Sequence, residues 1–306
     1  MPIVFWLIVT ILIKNGSFLI MQISTHTLPN GIALTWYHPA EISASPAIIL
    51  CHGFCGIQQA LLPAFAEAFA QAGFSALTFD YRGFGASAGE RGRLVPAMQT
   101  ADITSVIDWA AAQPAIDAER IGLWGTSFGG CHVFAAAAGD ARVRCIVSQL
   151  AFADGEAMVT GQMTEEEKNA FIASLLRMEE KKNASGKEMM VAVTRVLSDE
   201  ESKAFFADYR LRYPAMDIKI PFLTVLETVR YQPARFAAQV QCPTLVVVAE
   251  QDTVNPPQQG IALFAAAGAA TKRLYVEEGA HHYDMYDGEH FCRSLAEQLA
   301  WFNAHL

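Results

Sequence analysis

Gly125-Thr126-Ser127-Phe128-Gly129 is the stretch whose reading decides the architecture. Arg120 to Trp124 before it is strand-like, and the small-residue run Cys131 to Ala138 after it reads as a helix. A serine between a strand end and a helix start needs a sharp turn, and glycines two residues before and two after give the backbone room for it. Such a turn lifts the hydroxyl out of the sheet edge, at a helix N-terminus whose amides favour negative charge. That placement suits a nucleophilic serine, though a glycine-rich loop can also hold a serine by chance.

Upstream, the chain alternates strand and helix from Ser45. Ala47 to Leu50, Ser75 to Phe79 and Arg120 to Trp124 are short apolar strands, and Leu61 to Ala72 and Pro96 to Ala112 are the helices between them. Val143 to Ser148 continues the series beyond the serine. Units of this size imply a mainly parallel, doubly wound α/β sheet with helices on both faces, and ligands at the carboxyl ends of its strands. Gln22 to Leu28 and Ile32 to Tyr37, joined by Pro29-Asn30-Gly31, form an expected hairpin ahead of it. Arg82 with Asp80 is expected to tie down the loop after the second strand, and Asp102 and Asp108 are expected to be solvated or capping carboxylates.

The alternation stops after Asp154. Residues 155–231 are richer in Glu, Lys and Met, with helical runs at Glu165 to Lys182 and Glu200 to Arg212, and are read as an inserted helical lid. Its apolar inner face, Phe171, Leu175, Leu176, Met178, Phe205 and Phe206, is expected to shape a pocket or to pack the insertion on the core. Residues 21–154 and 232–306 then make up the two parts of the core, with 1–20 as an apolar extension.

Strand pattern returns at Pro243 to Ala249, followed by Glu250-Gln251-Asp252-Thr253-Val254-Asn255-Pro256. A carboxylate just past a strand end can orient an imidazole, and Asp252 is the candidate, with a mere turn former as the alternative; Glu250, nearer the strand, is expected to point away or to brace the loop. A last strand, Arg273 to Val276, leads to Gly279-Ala280-His281-His282-Tyr283-Asp284. Either histidine can shuttle the serine proton. Adjacent histidines rarely share one metal ion, and no third ligand has suitable spacing, so no metal is expected. The closing helix, Glu289 to His305, is expected to pack Leu295, Leu299 and Trp301 or Phe302 on the sheet.

A net charge of −9 over 306 residues, with no basic block, argues against a nucleic-acid partner. The six cysteines, Cys51, Cys55, Cys131, Cys145, Cys242 and Cys292, lack zinc spacing and a disulfide framework, which points to buried free thiols in a reducing, cytoplasmic setting. Met1 to Ile13 is almost wholly apolar. It is short for a membrane span and lacks the marks of a secretory signal, so an anchor, an added strand or helix, and an extension upstream of a domain starting near Met21 all stay open. The last is favoured, because ordinary domain pattern begins there.

Taken together, the His-Gly pair after the early strand, Asp80-Tyr81-Arg82-Gly83-Phe84-Gly85-Ala86-Ser87, Gly125-Thr126-Ser127-Phe128-Gly129-Gly130, the Val246-Val247-Val248-Ala249-Glu250-Gln251-Asp252 strand end and Gly279-Ala280-His281-His282-Tyr283-Asp284-Met285-Tyr286 resemble an α/β-hydrolase. The match spans about Met21 to the C-terminus apart from the lid. It implies the α/β-hydrolase fold and a catalytic triad of Ser127, Asp252 and His282, with His281 in the variable place of the final motif. It also implies an oxyanion hole from the backbone N–H groups of Phe54 and Phe128. His52 is expected to brace its loop. A serine nucleophile sets the chain apart from relatives that attack with aspartate.

The expected activity is hydrolysis of a carboxylic ester or related acyl bond through an acyl-enzyme, needing no cofactor. The alternatives are an acyltransferase or thioesterase with the same triad, or a ligand sensor on this scaffold. The expected partner is a small-molecule acyl substrate; a homodimer and membrane contact through residues 1–20 stay open.

Overall fold

A computed structural model describes residues 5–14, 17–40 and 44–306. Its strands are β1 (Phe5–Lys14), β2 (Ser17–Thr27), β3 (Ala33–Tyr37), β4 (Ser45–Cys51), β5 (Ser75–Phe79), β6 (Ile116–Thr126), β7 (Val143–Gln149), β8 (Met190–Ala192), β9 (Lys219–Pro221), β10 (Thr244–Ala249) and β11 (Lys272–Glu277). Its helices are α1 (Leu62–Gln71), α2 (Pro96–Ala111), α3 (Phe128–Gly139), α4 (Gly155–Thr160), α5 (Glu165–Ser185), α6 (Glu200–Arg212), α7 (Thr224–Arg230), α8 (Pro233–Ala237), α9 (Pro257–Ala266) and α10 (Gly288–His305).

Among the described residues nine strands form one sheet in the order β1-β2-β3-β5-β4-β6-β7-β10-β11. From β5 to β11 every pairing is parallel, whereas β1, β2 and β3 join by antiparallel pairings. The parallel strands have near-continuous apolar sequences because both faces are covered; every residue of β10, Thr-Leu-Val-Val-Val-Ala, is buried. One apolar cluster includes Ile49, Leu77, Ile103, Leu123 and Phe134, and a second includes Phe65, Phe69, Trp124, Val247 and Phe302. Leu295 and Leu299 of α10 pack against the second, beside buried Trp301 and Phe302.

The hairpin between β2 and β3 pairs Thr27 with Ala33, and Gly31 N–H donates to Leu28 O at 2.8 Å to close its turn. At the sheet edge β1 lies antiparallel to β2, with Phe5 opposite Thr25 and Lys14 opposite Ser17. Phe5–Lys14 is thus an edge strand, and β2 runs from Ser17 through Met21 without a break. Residues 1–4 and 15–16 of the apolar extension lie outside the described residues. Among the described residues no helix is long and apolar enough to cross a membrane.

Residues 155–231 stand between β7 and β10 and are mostly helical. α5 starts where Thr164 and Glu167 cap each other's backbone amides and stops at Gly186, in the left-handed conformation. A two-stranded ribbon, β8 against β9, interrupts the helices. Three-residue strands paired across a long stretch of chain leave no periodic trace in sequence. The expected inner face is only partly correct. Leu175 is fully buried in a satellite cluster with Leu223, Val225, Leu226 and Val229, against which Phe171 and Met178 pack, while Leu176 is exposed. These residues hold α5 to α7.

Two polar expectations also fail. Arg82 does not pair with Asp80: its backbone N–H and Nε donate to Asp102 at 2.9 and 2.6 Å. Asp102 is therefore fully buried rather than solvated. Asp80 instead accepts the backbone N–H groups of Gln58 at 2.7 Å and Ala86 at 2.9 Å. Asp108 is solvated, paired with Arg142 at 2.7 Å. All six cysteines are free, but only Cys51, Cys55, Cys131 and Cys145 are buried; Cys242 is half-buried and Cys292, on α10, is exposed.

Candidate active site

Ser127 joins β6 to α3 with φ 54° and ψ −121°, a strained conformation for a residue with a side chain. Its surroundings explain the flanking glycines. A methyl group on Gly125 would lie 2.3 Å from Gly129 O, and one on Gly129 would lie 2.2 Å from Cys51 O. Only hydrogen fits at either position. The turn is held from below by Ser127 N–H, which donates to Gln149 O at 2.8 Å.

Beneath it lies a buried polar network. Thr126 Oγ1 shares a hydrogen bond of 2.6 Å with Tyr286 OH, and Gln298 Nε2 on α10 donates to Gln149 Oε1 at 2.7 Å. Gln149 Nε2 in turn donates to Thr126 Oγ1 at 3.3 Å, and Ser294 Oγ reaches Gln149 Oε1 at 3.4 Å. Buried polar groups of this kind are stable only when satisfied, and here they bond one another.

Asp252 follows β10 and is buried. Its Oδ1 accepts the backbone N–H groups of Val254 and Asn255, both at 2.8 Å, which leaves Oδ2 for His282 Nδ1–H at 2.7 Å. A donating Nδ1 leaves the other ring nitrogen, Nε2, as the lone-pair side of a neutral imidazole. Of the two adjacent histidines, the structure brings His282 to Asp252. His281 points outward, its side chain 47 % exposed and its Nδ1 3.4 Å from Glu201 of α6. Glu250 accepts Gly279 N–H at 2.8 Å and so ties the Asp252 loop to the histidine loop.

Ser127 and His282 line one cavity of about 450 Å³. Phe54 and Phe128 line it too, their rings 5.6 Å apart edge to face. Gly53 brings the Phe54 loop against the serine: a methyl group there would lie 3.0 Å from Ser127 Cβ. His52 Nε2–H donates to Ala60 O at 2.9 Å, and burial lowers its pKa to about 4, so it is a neutral loop brace. Phe205 and Phe206 reach the cavity from α6, with Met158, Val196, Leu197 and Met216 around them. The sequence reading missed Asn255, whose Nδ2 lies 3.3 Å from Ser127 Oγ. An amide side chain three residues past Asp252, just before a proline, was the available signal. Among the described residues no group of three or more His, Cys, Asp or Glu side chains is arranged to hold a metal ion.

The chain is similar to several known proteins. The chain is 62 % identical over 286 residues, 94 % of its length and all of the other's, to an uncharacterised 31.7 kDa Escherichia coli protein from the traX-finO intergenic region. It is 30 % identical over 276 residues to the quorum-quenching protein AidA of Acinetobacter baumannii, covering 86 % of this chain and 88 % of that one. At 28 % identity stand the Aspergillus aculeatus thiohydrolase aneE (78 % of this chain, 79 % of the other) and the Aspergillus fumigatus polyketide transferase af380 (89 % and 93 %). The solved structure of DcsB with a substrate analogue superposes with a TM-score of 0.80 at 24 % identity, over 94 % of this chain and 100 % of that one. The family profile for the alpha/beta hydrolase fold matches residues 46–289, and the chain belongs to that family.

Proposed function

We propose that the protein is a serine hydrolase that cleaves a carboxylic ester or a related acyl bond through a covalent acyl-enzyme. The observation that carries this reading is the 2.7 Å hydrogen bond from buried His282 to buried Asp252, in the cavity that also holds Ser127 on its strained turn. Ser127 Oγ attacks the acyl carbonyl carbon while His282 Nε2 takes its proton. Asp252 keeps the imidazole in the required tautomer and stabilises the imidazolium.

Negative charge then collects on the former carbonyl oxygen. The backbone N–H groups of Phe54 and Phe128 receive it; Phe128 is the first residue of α3, where the helix has no internal partner for its amides. The imidazolium returns its proton to the leaving alcohol, whose C–O bond breaks. Water enters, gives a proton to His282 and attacks the acyl carbon; the proton passes to Ser127 Oγ as the acid departs. Residues 155–231 act as a lid, because α6 supplies Phe205 and Phe206 to the cavity wall and shields the acyl-enzyme.

Substitution of Ser127 by alanine removes nearly all p-nitrophenyl ester turnover from folded protein, and a fluorophosphonate labels the wild type at Ser127 alone. Turnover retained by folded Ser127→Ala refutes the reading. The relative named a polyketide transferase supports a second reading, acyl transfer to an alcohol, amine or thiol in place of water. Partition of a labelled acyl group between water and added acceptors separates the two.

A further inference from the structure

Asn255 touches both ends of the proposed relay. Its backbone N–H donates to Asp252 Oδ1 at 2.8 Å, while its side-chain Nδ2 lies 2.6 Å from Leu150 O and 3.3 Å from Ser127 Oγ. The Leu150 contact settles which end of the amide faces the serine. A carbonyl oxygen only accepts, so the nitrogen must point toward it, and the same nitrogen then offers its second hydrogen to Ser127. Leu150 itself sits at φ 55° just beyond β7, and the following Pro256 restricts Asn255 to extended backbone. The side chain is thus held by two contacts and the backbone by a third.

We propose that Asn255 is a positioning residue for the nucleophile; the inference rests on the serine-hydrolase reading above. A serine hydroxyl has one hydrogen and two lone pairs. Asn255 occupies one lone pair, which leaves the hydrogen to be aimed at His282 and the other lone pair at the acyl carbon. At 3.3 Å the bond is long for an N–H donor, so its effect in the resting enzyme is small. It strengthens whenever charge grows on Oγ: during attack, and again when Oγ leaves the acyl group and takes its proton back from His282. The rate of the chemical steps should therefore depend on it more than substrate binding does.

The test uses the full chain with Asn255→Ala and the near-isosteric Asn255→Asp, whose side chain cannot donate when ionised. Three quantities are read: kcat and KM on a p-nitrophenyl ester, the second-order rate of fluorophosphonate labelling, and the urea midpoint. The expected result is a fall of about five- to thirtyfold in both kcat and labelling rate, with KM within about twofold. Asn255→Asp should be at least as slow as Asn255→Ala. If wild-type Ser127 is labelled and both folded variants react within about twofold of it, the inference is overturned even where the urea midpoint drops, because that is the signature of a loop brace. A wild type that neither labels nor turns over overturns the parent reading, and this inference with it.

Discussion

The rings of Phe205 and Tyr283 lie face to face, 4.4 Å between centroids and 14° between planes. Phe205 belongs to α6 and Tyr283 directly follows His282. The same helix places Ser202 Oγ 3.1 Å from Tyr283 OH and hydrogen-bonds Glu201 to Thr253, the residue after Asp252. One helix face therefore rests on the chain neighbours of both Asp252 and His282. Tyr283→Ala is expected to lower kcat/KM about ten- to hundredfold, since small displacements of a reacting group are costly and the stacked pair is lost. Steady-state kinetics on a folded variant checks this; unchanged kcat/KM would show that α6 does not hold the base.

Asp252 and the histidine pair make a sharper contrast. Asp252→Asn leaves the shape of the loop but turns a carboxylate acceptor into an amide, and kcat is expected to fall about 10³–10⁴-fold. His282→Ala should be as severe. His281→Ala, which removes only an exposed ring near Glu201, should stay within about threefold of wild type. Equal losses at 281 and 282 would contradict the geometry.

Acid should destabilise the fold before it protonates most carboxylates. His52 and His132 are wholly buried, and burial lowers their pKa values to about 4 and about 3, from an ordinary 6.5. His132 is held neutral between Gln99 Oε1, which accepts from its Nε2–H at 2.8 Å, and Tyr231 OH, which donates to its Nδ1 at 2.9 Å. Below pH 6.5 the unfolded chain takes up protons at these sites and the folded chain does not, so stability falls as pH falls, down to the folded pKa values. From pH 7 to 5.5 the two should cost on the order of 2–3 kcal/mol. Urea midpoints across that range test it, and His132→Gln should remove about half of the share due to these two, with half-buried His38, also lowered to about 4 by burial, adding to the remainder. A midpoint independent of pH would rule this account out.

Two glycines separate folding from function. Gly129→Ala drives a methyl group into Cys51 O, which belongs to a central strand and cannot move; a loss of about 3 kcal/mol or more is expected. Gly53→Ala meets Ser127 Cβ at 3.0 Å, a contact that a few tenths of an ångström relieves. That variant should fold and lose about tenfold or more in kcat/KM. Denaturation and kinetics on the pair distinguish the cases.

Much of this was legible in sequence because strict local rules govern those positions. A serine between paired glycines, an aspartate past a valine-rich strand and a histidine past the next strand each follow from turn geometry and chain order. What escaped depended on tertiary partners. The stripe Phe171, Leu175 and Met178 announces a buried face without saying that α7 covers it rather than the cavity. Asp102 reads as an ordinary surface helix acid until Arg82, twenty residues away, closes over it. Asn255 looks like a turn former because nothing local reveals that the loops after β6 and β7 meet it.

The polar network under Ser127 also has a consequence for synthesis. Gln298 and Ser294, which complete the bonding of Gln149, leave the ribosome more than 140 residues after it. Ser127 emerges long before those amide and hydroxyl partners and, on the proposed reading, before Asp252 and His282 as well, so ester turnover should appear only when nearly the whole chain has been made.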